Sequence, residues 1–336
     1  MDTLTPRFFE LPDGGLPDGK TLCELCPHRC VLTSGTAGLC KVRTGGGGLP
    51  FYGHISSVAI DPIEKKPLFH YRPGEKILSI GFVGCNMRCP FCQNWYISQT
   101  TESAARVISP EKIIEEVEEA GLKQIAYTYS EPLIHPEYLI NCMTLAHEHG
   151  IANVLVSNGC VNEKAAAEII SLTDAANIDL KCFSDANYKK ILGGSLSAVK
   201  HFIKAASVNT HIEITTLIVP GFNDGGDEID DCIDFIASIS NNIPWHISAY
   251  HPAYKLNTPP AKPEDIINIK ERAKQKLLYC YTGNINDNDN NTVCLNCGSV
   301  LLRRDWYKIE ILELIKKNAD GAYYCGLCGT KTPLRY

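Results

Sequence analysis

Three cysteines in residues 84–95 have a spacing that could assemble an iron–sulfur cluster. The stretch reads GCNMRCPFCQNW and places Cys85, Cys89 and Cys92 in a Cys-x3-Cys-x2-Cys pattern. Three thiolates on one short loop can hold three irons of a [4Fe–4S] cluster and leave the fourth iron open. The amino and carboxylate groups of S-adenosylmethionine (SAM) can chelate that open iron, and an electron from the cluster then cleaves the sulfonium. Structural zinc or a ferredoxin-type cluster would need a fourth ligand, which this loop does not offer.

From residue 76 onward, short apolar runs alternate with longer amphipathic runs. The apolar runs predict strands at 77–83, 124–127, 153–156, 176–180, 211–219 and 244–248. The amphipathic runs predict helices at 110–120, 136–149, 163–172, 195–206 and 227–239. Ser109 followed by Pro110 is typical of a helix start. These six repeats predict an α/β fold with a parallel sheet, and the three cysteines come directly after its first strand.

Polar side chains recur where the predicted strands end. They are Ser130, Glu131, Ser157, Asn158, Asp179, Lys181, His251, Tyr254 and Lys255. In a (β/α) barrel the site residues gather at the C-terminal ends of the strands. This coincidence favours a partial (β/α)6 TIM barrel over an open doubly wound sheet.

A second cysteine set near the end of the chain has the spacing of a mononuclear metal site. It consists of Cys294-x2-Cys297-Gly298 and Cys325-x2-Cys328-Gly329. Four thiolates in paired Cys-x2-Cys motifs suit tetrahedral zinc or rubredoxin-like iron. We expect a zinc-ribbon or rubredoxin-like module that acts as a folding staple or a docking lobe, with no part in radical chemistry.

A third set, near the start of the chain, has a less regular spacing. It comprises Cys23, Cys26, Cys30 and Cys40, with His28 as a further candidate ligand. The spacing fits four-ligand binding, so a structural metal would help this lobe to fold, and an auxiliary cluster that relays electrons or binds substrate is the alternative. A structural metal is the interpretation we favour. The chain then divides into a Cys-rich N-terminal lobe (1–75), a barrel (76–283) and a C-terminal module (284–336).

Composition excludes several classes of protein. The 336 residues carry a net charge of −6, which gives no support for a nucleic-acid partner. No run approaches the roughly 20 apolar residues of a membrane span, and no signal peptide is visible, so we expect a cytoplasmic protein. Five of the 16 cysteines are scattered and are expected to pack as small core residues. They are Cys142, Cys160, Cys182, Cys232 and Cys280.

The motifs together resemble the AmmeMemoRadiSam system radical SAM enzymes, a family related to the pyruvate formate-lyase activating enzymes. The resemblance lies in residues 61–70 (DPIEKKPLFH), 89–95 (CPFCQNW), 97–99 (ISQ), 127–132 (YTYSEP) and 281–284 (YTGN). It extends over nearly the whole chain. It implies a partial TIM barrel with the cluster and SAM at its top. Without it, Glu64, Lys65 and Lys66 would be interpreted as a solvated charged face.

The resemblance also suggests roles for polar residues at the strand ends. Glu131 would receive the amino group of SAM, although the glycine-glycine-glutamate motif of the family reads Tyr-Ser-Glu here; a helix cap is the alternative for this acid. Asp179 and Lys181 share one face of a strand and would bind the ribose hydroxyls and the SAM carboxylate, unless they form an ordinary ion pair. His251 resembles a late histidine near the ribose and could equally pack in its loop. Asn158 is a further SAM-contact candidate.

Three functions remain open from the sequence. The first is radical SAM activation of a protein or peptide, as in glycyl-radical activation. The second is radical SAM modification of a small molecule together with partner proteins, and the third is a zinc-bound scaffold without redox activity. For either enzyme the resemblance implies an electron donor such as flavodoxin or ferredoxin. The residues that face the substrate have no recognisable signature.

Overall fold

An eight-stranded β-sheet forms the centre of the molecule in the computed structural model. The structure describes residues 5–10, 20–46, 48–100, 105–287, 289–312, 315–317 and 322–335. The described residues form strands in this sheet and in four smaller sheets. These strands are β1 (Phe9–Glu10), β2 (Thr21–Cys23), β3 (Val31–Leu32), β4 (His54–Ile55), β5 (Ser57–Pro62), β6 (Lys76–Gly81), β7 (Arg106–Val107), β8 (Gln124–Thr128), β9 (Ala152–Ser157), β10 (Ala175–Asp179), β11 (His211–Ile218), β12 (Trp245–Ala249), β13 (Cys280–Gly283), β14 (Thr292–Val293), β15 (Val300–Asp305), β16 (Lys308–Ile311), β17 (Ile315–Lys317) and β18 (Tyr323–Cys325). Its helices are α1 (Trp95–Ser98), α2 (Pro110–Glu119), α3 (Pro136–Glu148), α4 (Glu163–Ile170), α5 (Asp185–Asn187), α6 (Leu196–Ala206), α7 (Gly226–Ile239) and α8 (Pro263–Ala273).

The strands of the central sheet are arranged in the order in which they occur in the chain. From edge to edge the order is β5, β6, β8, β9, β10, β11, β12 and β13. Seven of these strands are parallel, and β5 pairs antiparallel with β6. A helix lies between each pair of consecutive parallel strands. Because β5 and β13 are the two edges, the barrel is open, as the sequence predicts.

All six predicted strands and all five predicted helices are present, with ends that differ by at most two residues. The observed sheet is larger than the predicted six repeats because the α8–β13 unit adds a seventh parallel strand. Strand β5 adds an eighth, antiparallel strand. Since β5 lies within residues 1–75, the boundary drawn at residue 75 separates two strands that pair in one sheet.

The start of α2 follows the capping rules. The Ser109 side chain accepts a hydrogen bond from the N–H of Lys112 at 3.3 Å, and Pro110 occupies the first turn of α2. This arrangement satisfies one of the backbone donors that a helix start leaves free. Among the described residues, no helix combines the length and the apolar character needed to cross a bilayer.

The N-terminal lobe is joined to the barrel by a buried ion pair. The three-stranded sheet β1–β2–β3 precedes a loop that carries Arg43, whose guanidinium lies 2.9 Å from the carboxylate of Glu137 on α3. Both side chains are buried. Loss of either partner would leave an unpaired buried charge, so the contact fixes where the lobe lies on the barrel.

The scattered cysteines are core residues, as predicted. Cys142, Cys160, Cys182, Cys232 and Cys280 are all buried and belong to the main hydrophobic cluster. None forms a disulfide. A buried thiol behaves as a small hydrophobe, so these positions need no chemical role.

Candidate active site

A cavity of about 580 Å³ lies at the C-terminal ends of the barrel strands. Its lining includes Cys85, Cys89 and Cys92 and the turn that joins β15 to β16. It also includes the strand-end residues Glu131, Asn158, Asp179 and Lys181. The fold therefore gathers the central cysteines and four of the five proposed SAM contacts in one cavity.

The loop that carries the three cysteines follows β6 and is packed tightly against the N-terminal lobe. Gly84 has φ = +75°, and a Cβ at this position would lie 2.5 Å from the carbonyl oxygen of Cys40. Only glycine meets both demands without displacing the backbone. This position fixes where Cys85, the first of the three thiols, enters the cavity.

The sulfurs of the central cysteines are spread more widely than ligands of a single ion. In the described part of the chain, only the C-terminal cysteines bring three or more potential metal-ligating atoms within 4.8 Å of one another. Each thiolate of a [4Fe–4S] cluster binds its own iron, so its ligands lie farther apart than ligands that share one ion. No fourth cysteine is among the described residues that line the cavity. This donor set fits a cluster with one open iron.

Hydrogen-bond donors surround these sulfurs. The N–H of Met87 lies 3.3 Å from Cys85 Sγ, and the amide nitrogen of Asn158 lies 3.8 Å from the same sulfur. Ser98 Oγ lies 3.2 Å from Cys92 Sγ. A thiolate can only accept, so each of these groups would donate to a ligand sulfur. Such bonds favour the reduced, more negative cluster and raise its reduction potential.

Ser98→Ala should therefore make the cluster harder to reduce. One neutral hydrogen bond contributes about 1 kcal/mol net, which sets an upper limit of roughly 40 mV for a one-electron couple. We expect a more negative midpoint potential in an anaerobic titration followed by electron paramagnetic resonance. Ser98→Thr, which keeps the hydroxyl, should restore the wild-type value. An unchanged or more positive potential in the alanine variant would contradict the assignment.

Glu131 is fully engaged by backbone and side-chain donors. Its carboxylate accepts from the Leu133 N–H at 3.0 Å, the Ser157 hydroxyl at 2.7 Å and the Asn158 N–H at 2.9 Å. The bond to Leu133 caps the short helical turn Pro132–Ile134, so the capping interpretation describes part of what this side chain does. Burial raises the pKa of Glu131 to about 7, against the opposing effect of these hydrogen bonds.

Tyr129 keeps the backbone conformation of a glycine in the Tyr-Ser-Glu motif. Its φ is +71°, in the left-handed region that a side chain rarely adopts. The Tyr129 hydroxyl donates to Asp61 Oδ2 at 2.5 Å, and the Lys66 ammonium lies 4.3 Å from the centre of the Tyr129 ring. These contacts hold the strained residue in place. They explain how a tyrosine can occupy a position that the related family fills with glycine.

Glu131→Gln should weaken SAM binding without removing iron. A hydrogen bond to a charged group contributes about 1.5–3 kcal/mol, so we expect a loss of roughly tenfold or more in affinity, measured anaerobically by calorimetry. Wild-type affinity should fall as pH decreases through about 7, because protonation removes an acceptor, and the glutamine variant should lose this dependence. Asp179→Asn should also weaken SAM binding, whereas Asp185→Asn, an exposed acid outside the cavity, should not. Loss of iron with unchanged SAM affinity would disprove these roles.

Asp179 and Lys181 form an ion pair at the end of β10. Their charged groups lie 2.8 Å apart. Although burial disfavours its charge, Asp179 and the thiolate of Cys89 hold the pKa of Lys181 above its ordinary value. The Lys181 backbone N–H donates to the Tyr188 hydroxyl at 3.0 Å, which fixes the strand end. A fixed cation and a fixed acid therefore face the cavity beside Cys89.

His251 is not brought to the cavity. Its ring is exposed, and Nε2 lies 3.3 Å from the carbonyl oxygen of Asn284. It is absent from the described residues that line the cavity. The ring of His251 therefore packs against the loop that follows β13.

Glu64 and Lys66 are buried, contrary to the solvated face that their charges alone would indicate. The ammonium of Lys66 lies 2.7 Å from Asp61 Oδ2, and burial lowers the pKa of Lys66 to about 8. One oxygen of Glu64 accepts from the Gly74 N–H at 2.6 Å. The other is buried and has no hydrogen-bond partner among the described residues, and Glu64 lines the cavity. Sequence reasoning missed this residue because it stands within a run of charges.

The sulfurs of the four C-terminal cysteines all lie within 4.8 Å of one another, close enough to bind one ion. Cys294 Sγ lies 3.5 Å from Cys328 Sγ, and Cys297 Sγ lies 3.7 Å from Cys325 Sγ. Four sulfurs at about 2.3 Å from one tetrahedral ion would be about 3.8 Å apart. Gly298 and Gly329 follow the two motifs with φ of +72° and +73°. Contacts with the Thr330 side chain and backbone lower the pKa of Cys328 to about 5, which favours the thiolate that a metal requires.

The chain matches the Radical SAM superfamily over residues 79–236, a segment that includes the three central cysteines. It is 36% identical over 326 residues to an uncharacterized protein of Methanocaldococcus jannaschii, and the match covers 94% of this chain and 96% of that protein. It is 26% identical over 206 residues to the pyruvate formate-lyase-activating enzyme of Clostridium pasteurianum, covering 58% of this chain and 86% of the enzyme. Against the pyruvate formate-lyase 1-activating enzyme of Escherichia coli strain K12, identity is 25% over 231 residues, covering 62% of this chain and 93% of the enzyme.

A solved structure shares the fold. Streptococcus suis SuiB bound to S-adenosylmethionine superposes with a TM-score of 0.50 at 14% sequence identity. The superposition covers 61% of this chain and 51% of SuiB. At this identity the likeness concerns the fold alone.

Proposed function

We propose that this chain, a member of the radical SAM superfamily, is an enzyme that cleaves SAM reductively to start radical chemistry. A [4Fe–4S] cluster with bound SAM would supply reductive cleavage to methionine and a 5′-deoxyadenosyl radical, which abstracts a hydrogen atom. The observation that carries the proposal is the set of three cysteines, without a fourth, on one cavity with Glu131, Asp179 and Lys181. A zinc-bound scaffold would have no use for this arrangement.

The residues around the cysteines have distinct proposed tasks. Glu131 accepts a hydrogen bond from the amino group of SAM, and Asn158 donates to the sulfur of Cys85. Asp179 accepts from the ribose hydroxyls. Lys181 pairs with the SAM carboxylate, and its charge is kept by Asp179 and Cys89. These tasks use groups that are already oriented by hydrogen bonds, so little ordering is needed when SAM binds.

The part of the cavity that is lined by the turn between β15 and β16 is proposed to receive the substrate. The turn between β15 and β16 places Asp305, Trp306 and Tyr307 on the cavity, and both aromatic side chains are largely exposed. Glu64 also lines this cavity. Exposed aromatic side chains at a cleft suit a protein or peptide segment, because they give contact area at small entropic cost.

We therefore propose a protein or peptide substrate, in keeping with the likeness to pyruvate formate-lyase-activating enzymes. Flavodoxin or ferredoxin is the proposed electron donor. A small molecule handled with partner proteins is the second candidate, since the cavity has the volume of an ordinary ligand pocket.

The test is anaerobic purification followed by reduction with dithionite in the presence of SAM. We expect a brown protein that produces 5′-deoxyadenosine and methionine in equal amounts. A colourless protein that contains zinc alone and leaves SAM intact would disprove the proposal. Deuterated candidate peptides and deuterated small molecules should then be compared, because only the true substrate transfers deuterium to 5′-deoxyadenosine.

A further inference from the structure

The cysteines of the N-terminal lobe come from the end of β2, the turn between β2 and β3, and a later loop. Cys23 ends β2, and its N–H donates to the carbonyl of Cys30 at 2.9 Å across the β2–β3 turn. Cys30 Sγ lies 3.4 Å from the Cβ position of Gly38, two residues before Cys40. Cys26 lies close enough to Cys23 and Cys40 for negative charge on their sulfurs to raise its pKa. The lobe therefore collects four thiols around one place.

These four thiols have no role in the site described above. Cys23, Cys26 and Cys40 are buried, and Cys30 is half-buried. None of the four forms a disulfide. Four collected thiols that remain unpaired, in a lobe with only a few short strands, indicate a metal-containing group.

The spacing of the sulfurs argues against a single ion. Mononuclear zinc needs four sulfurs about 3.8 Å apart, and the C-terminal set meets this condition, with all its ligand atoms within 4.8 Å. No three ligand atoms of the N-terminal set are that close, although all four residues belong to the described part of the chain. The three central cysteines show the same wider spacing. Thiolates that bind separate irons of a cluster require it.

We propose that Cys23, Cys26, Cys30 and Cys40 bind a second iron–sulfur cluster, and that this cluster passes single electrons to the central one. The existence of the second cluster is independent of the proposed function, and its role as a relay rests on that function. This differs from the structural metal favoured by the spacing of the sequence alone.

The contacts between the lobe and the central loop support the relay. His28, between Cys26 and Cys30, donates from Nε2 to the carbonyl of Asn86 at 2.8 Å, so this nitrogen is engaged by the loop. The Asn86 side-chain oxygen accepts from the Asn158 amide at 2.9 Å, and the same amide nitrogen lies 3.8 Å from Cys85 Sγ. Short covalent and hydrogen-bonded steps therefore join the two cysteine sets.

The position of the lobe also suits this role. The carbonyl of Cys40 lies against Gly84, immediately before the first central cysteine. In each transfer the N-terminal cluster is oxidised by one electron and the central cluster is reduced by one electron. A reduced flavodoxin or ferredoxin outside the protein then restores the N-terminal cluster, and no bond is formed or broken in the transfer.

The existence of the second cluster is tested in a variant that lacks the first. The triple variant Cys85→Ala, Cys89→Ala and Cys92→Ala leaves the N-terminal set intact. After anaerobic reconstitution with iron and sulfide it should keep about two to four irons per chain, with the absorption and Mössbauer spectra of a cluster. Zinc at the N-terminal set, or no bound iron, would overturn the proposal.

Assignment to the four cysteines needs variants in the wild-type background. Cys23→Ser with Cys26→Ser removes two of the four ligands, and Cys30→Ser with Cys40→Ser removes the other two. Because each double variant keeps fewer than the three thiolates that a [4Fe–4S] cluster needs, both should lose the second cluster and keep the central one. The matched control is Cys160→Ala. This buried thiol lies near Cys26, but its sulfur accepts a hydrogen bond from the backbone of Ser195 and it is not one of the four proposed ligands. Full iron content in both folded double variants would refute the assignment.

The relay is tested by the rate at which reduced flavodoxin reduces the central cluster, followed by freeze-quench electron paramagnetic resonance. The double variant Cys23→Ser with Cys26→Ser should lower this rate at least tenfold, while SAM affinity stays at the wild-type value. An unchanged rate would overturn the relay and leave the second cluster established by its iron content. Failure of SAM cleavage in the wild type would instead disprove the proposed function, with the iron measurements unaffected.

Discussion

Cys89→Ala should abolish the formation of 5′-deoxyadenosine, with product below detection in assays that include dithionite and SAM. Three thiolates are the minimum that holds a [4Fe–4S] cluster with one open iron, so loss of one removes the group that would bind SAM and deliver the electron. Cys85→Ala and Cys92→Ala should behave in the same way. Each variant should also lose about four irons per chain and the corresponding visible absorption.

The control for this loss is a buried cysteine outside the clusters. Cys232→Ala changes a core thiol on α7 and should keep both the iron and the activity, apart from a modest loss of stability. Production of 5′-deoxyadenosine by a Cys89→Ala protein with full iron content would refute the central assignment.

The double variant Cys294→Ser and Cys297→Ser should lose one metal ion and destabilise the C-terminal module. The two Cys-x2-Cys-Gly motifs close a four-thiolate shell, which leaves no coordination site for SAM. The hydrophobic cluster of the module has only three buried residues, Cys294, Leu301 and Cys325, and two of them are cysteines of the metal site. Structural zinc contributes about 10–16 kcal/mol in zinc-finger peptides, so loss of two ligands should expose residues 292–335 to limited proteolysis.

The central cluster should survive in this variant, and 5′-deoxyadenosine should still form while the barrel stays folded. Metal analysis and proteolysis measure the first effect, and the SAM cleavage assay measures the second. Cys280→Ser, just upstream on β13, is the control for replacing a buried thiol. An empty C-terminal site in the wild type would disprove the metal assignment. A well-folded double variant with intact central iron but no SAM cleavage would show that the module has a redox role.

The sequence predicts the parts of the fold that repeat. Apolar runs such as Gln124–Thr128 and Ala152–Ser157 are buried on both faces, so their pattern is nearly continuous and easily recognised. Strand β5 (Ser57–Pro62) lies at an edge, and its first four residues alternate between half-buried and exposed. Strand β13 (Cys280–Gly283) has only four residues and includes a glycine. Neither strand gives a strong pattern, and both are found only through their pairing in the sheet.

The candidate site could be predicted as a set of positions but not as a set of contacts. The cysteine spacing and the strand ends identify Glu131, Asp179 and Lys181, and the structure brings all three to the cavity. Spacing alone cannot show that the Glu131 carboxylate accepts hydrogen bonds from the Ser157 hydroxyl and the Asn158 N–H. These bonds join residues that follow or end different strands and are distant in the chain. The same limit applies to Glu64, whose burial depends on where β5 and the following turn pack.

The order of the strands has a consequence for how the protein forms during synthesis. Each strand of the central sheet pairs with the strand that precedes it in the sheet's chain order, from β5 to β13. A pairing between strands that are far apart in the chain costs loop-closure entropy before any stabilising contact forms. This sheet needs no such pairing between its first and last strands. The sheet can therefore grow at one edge as the ribosome releases each βα unit. The cysteine loop, which follows β6, is complete when only about a quarter of the chain has emerged, so the thiols of the cluster are exposed to the cell before β9 and β10 can cover them.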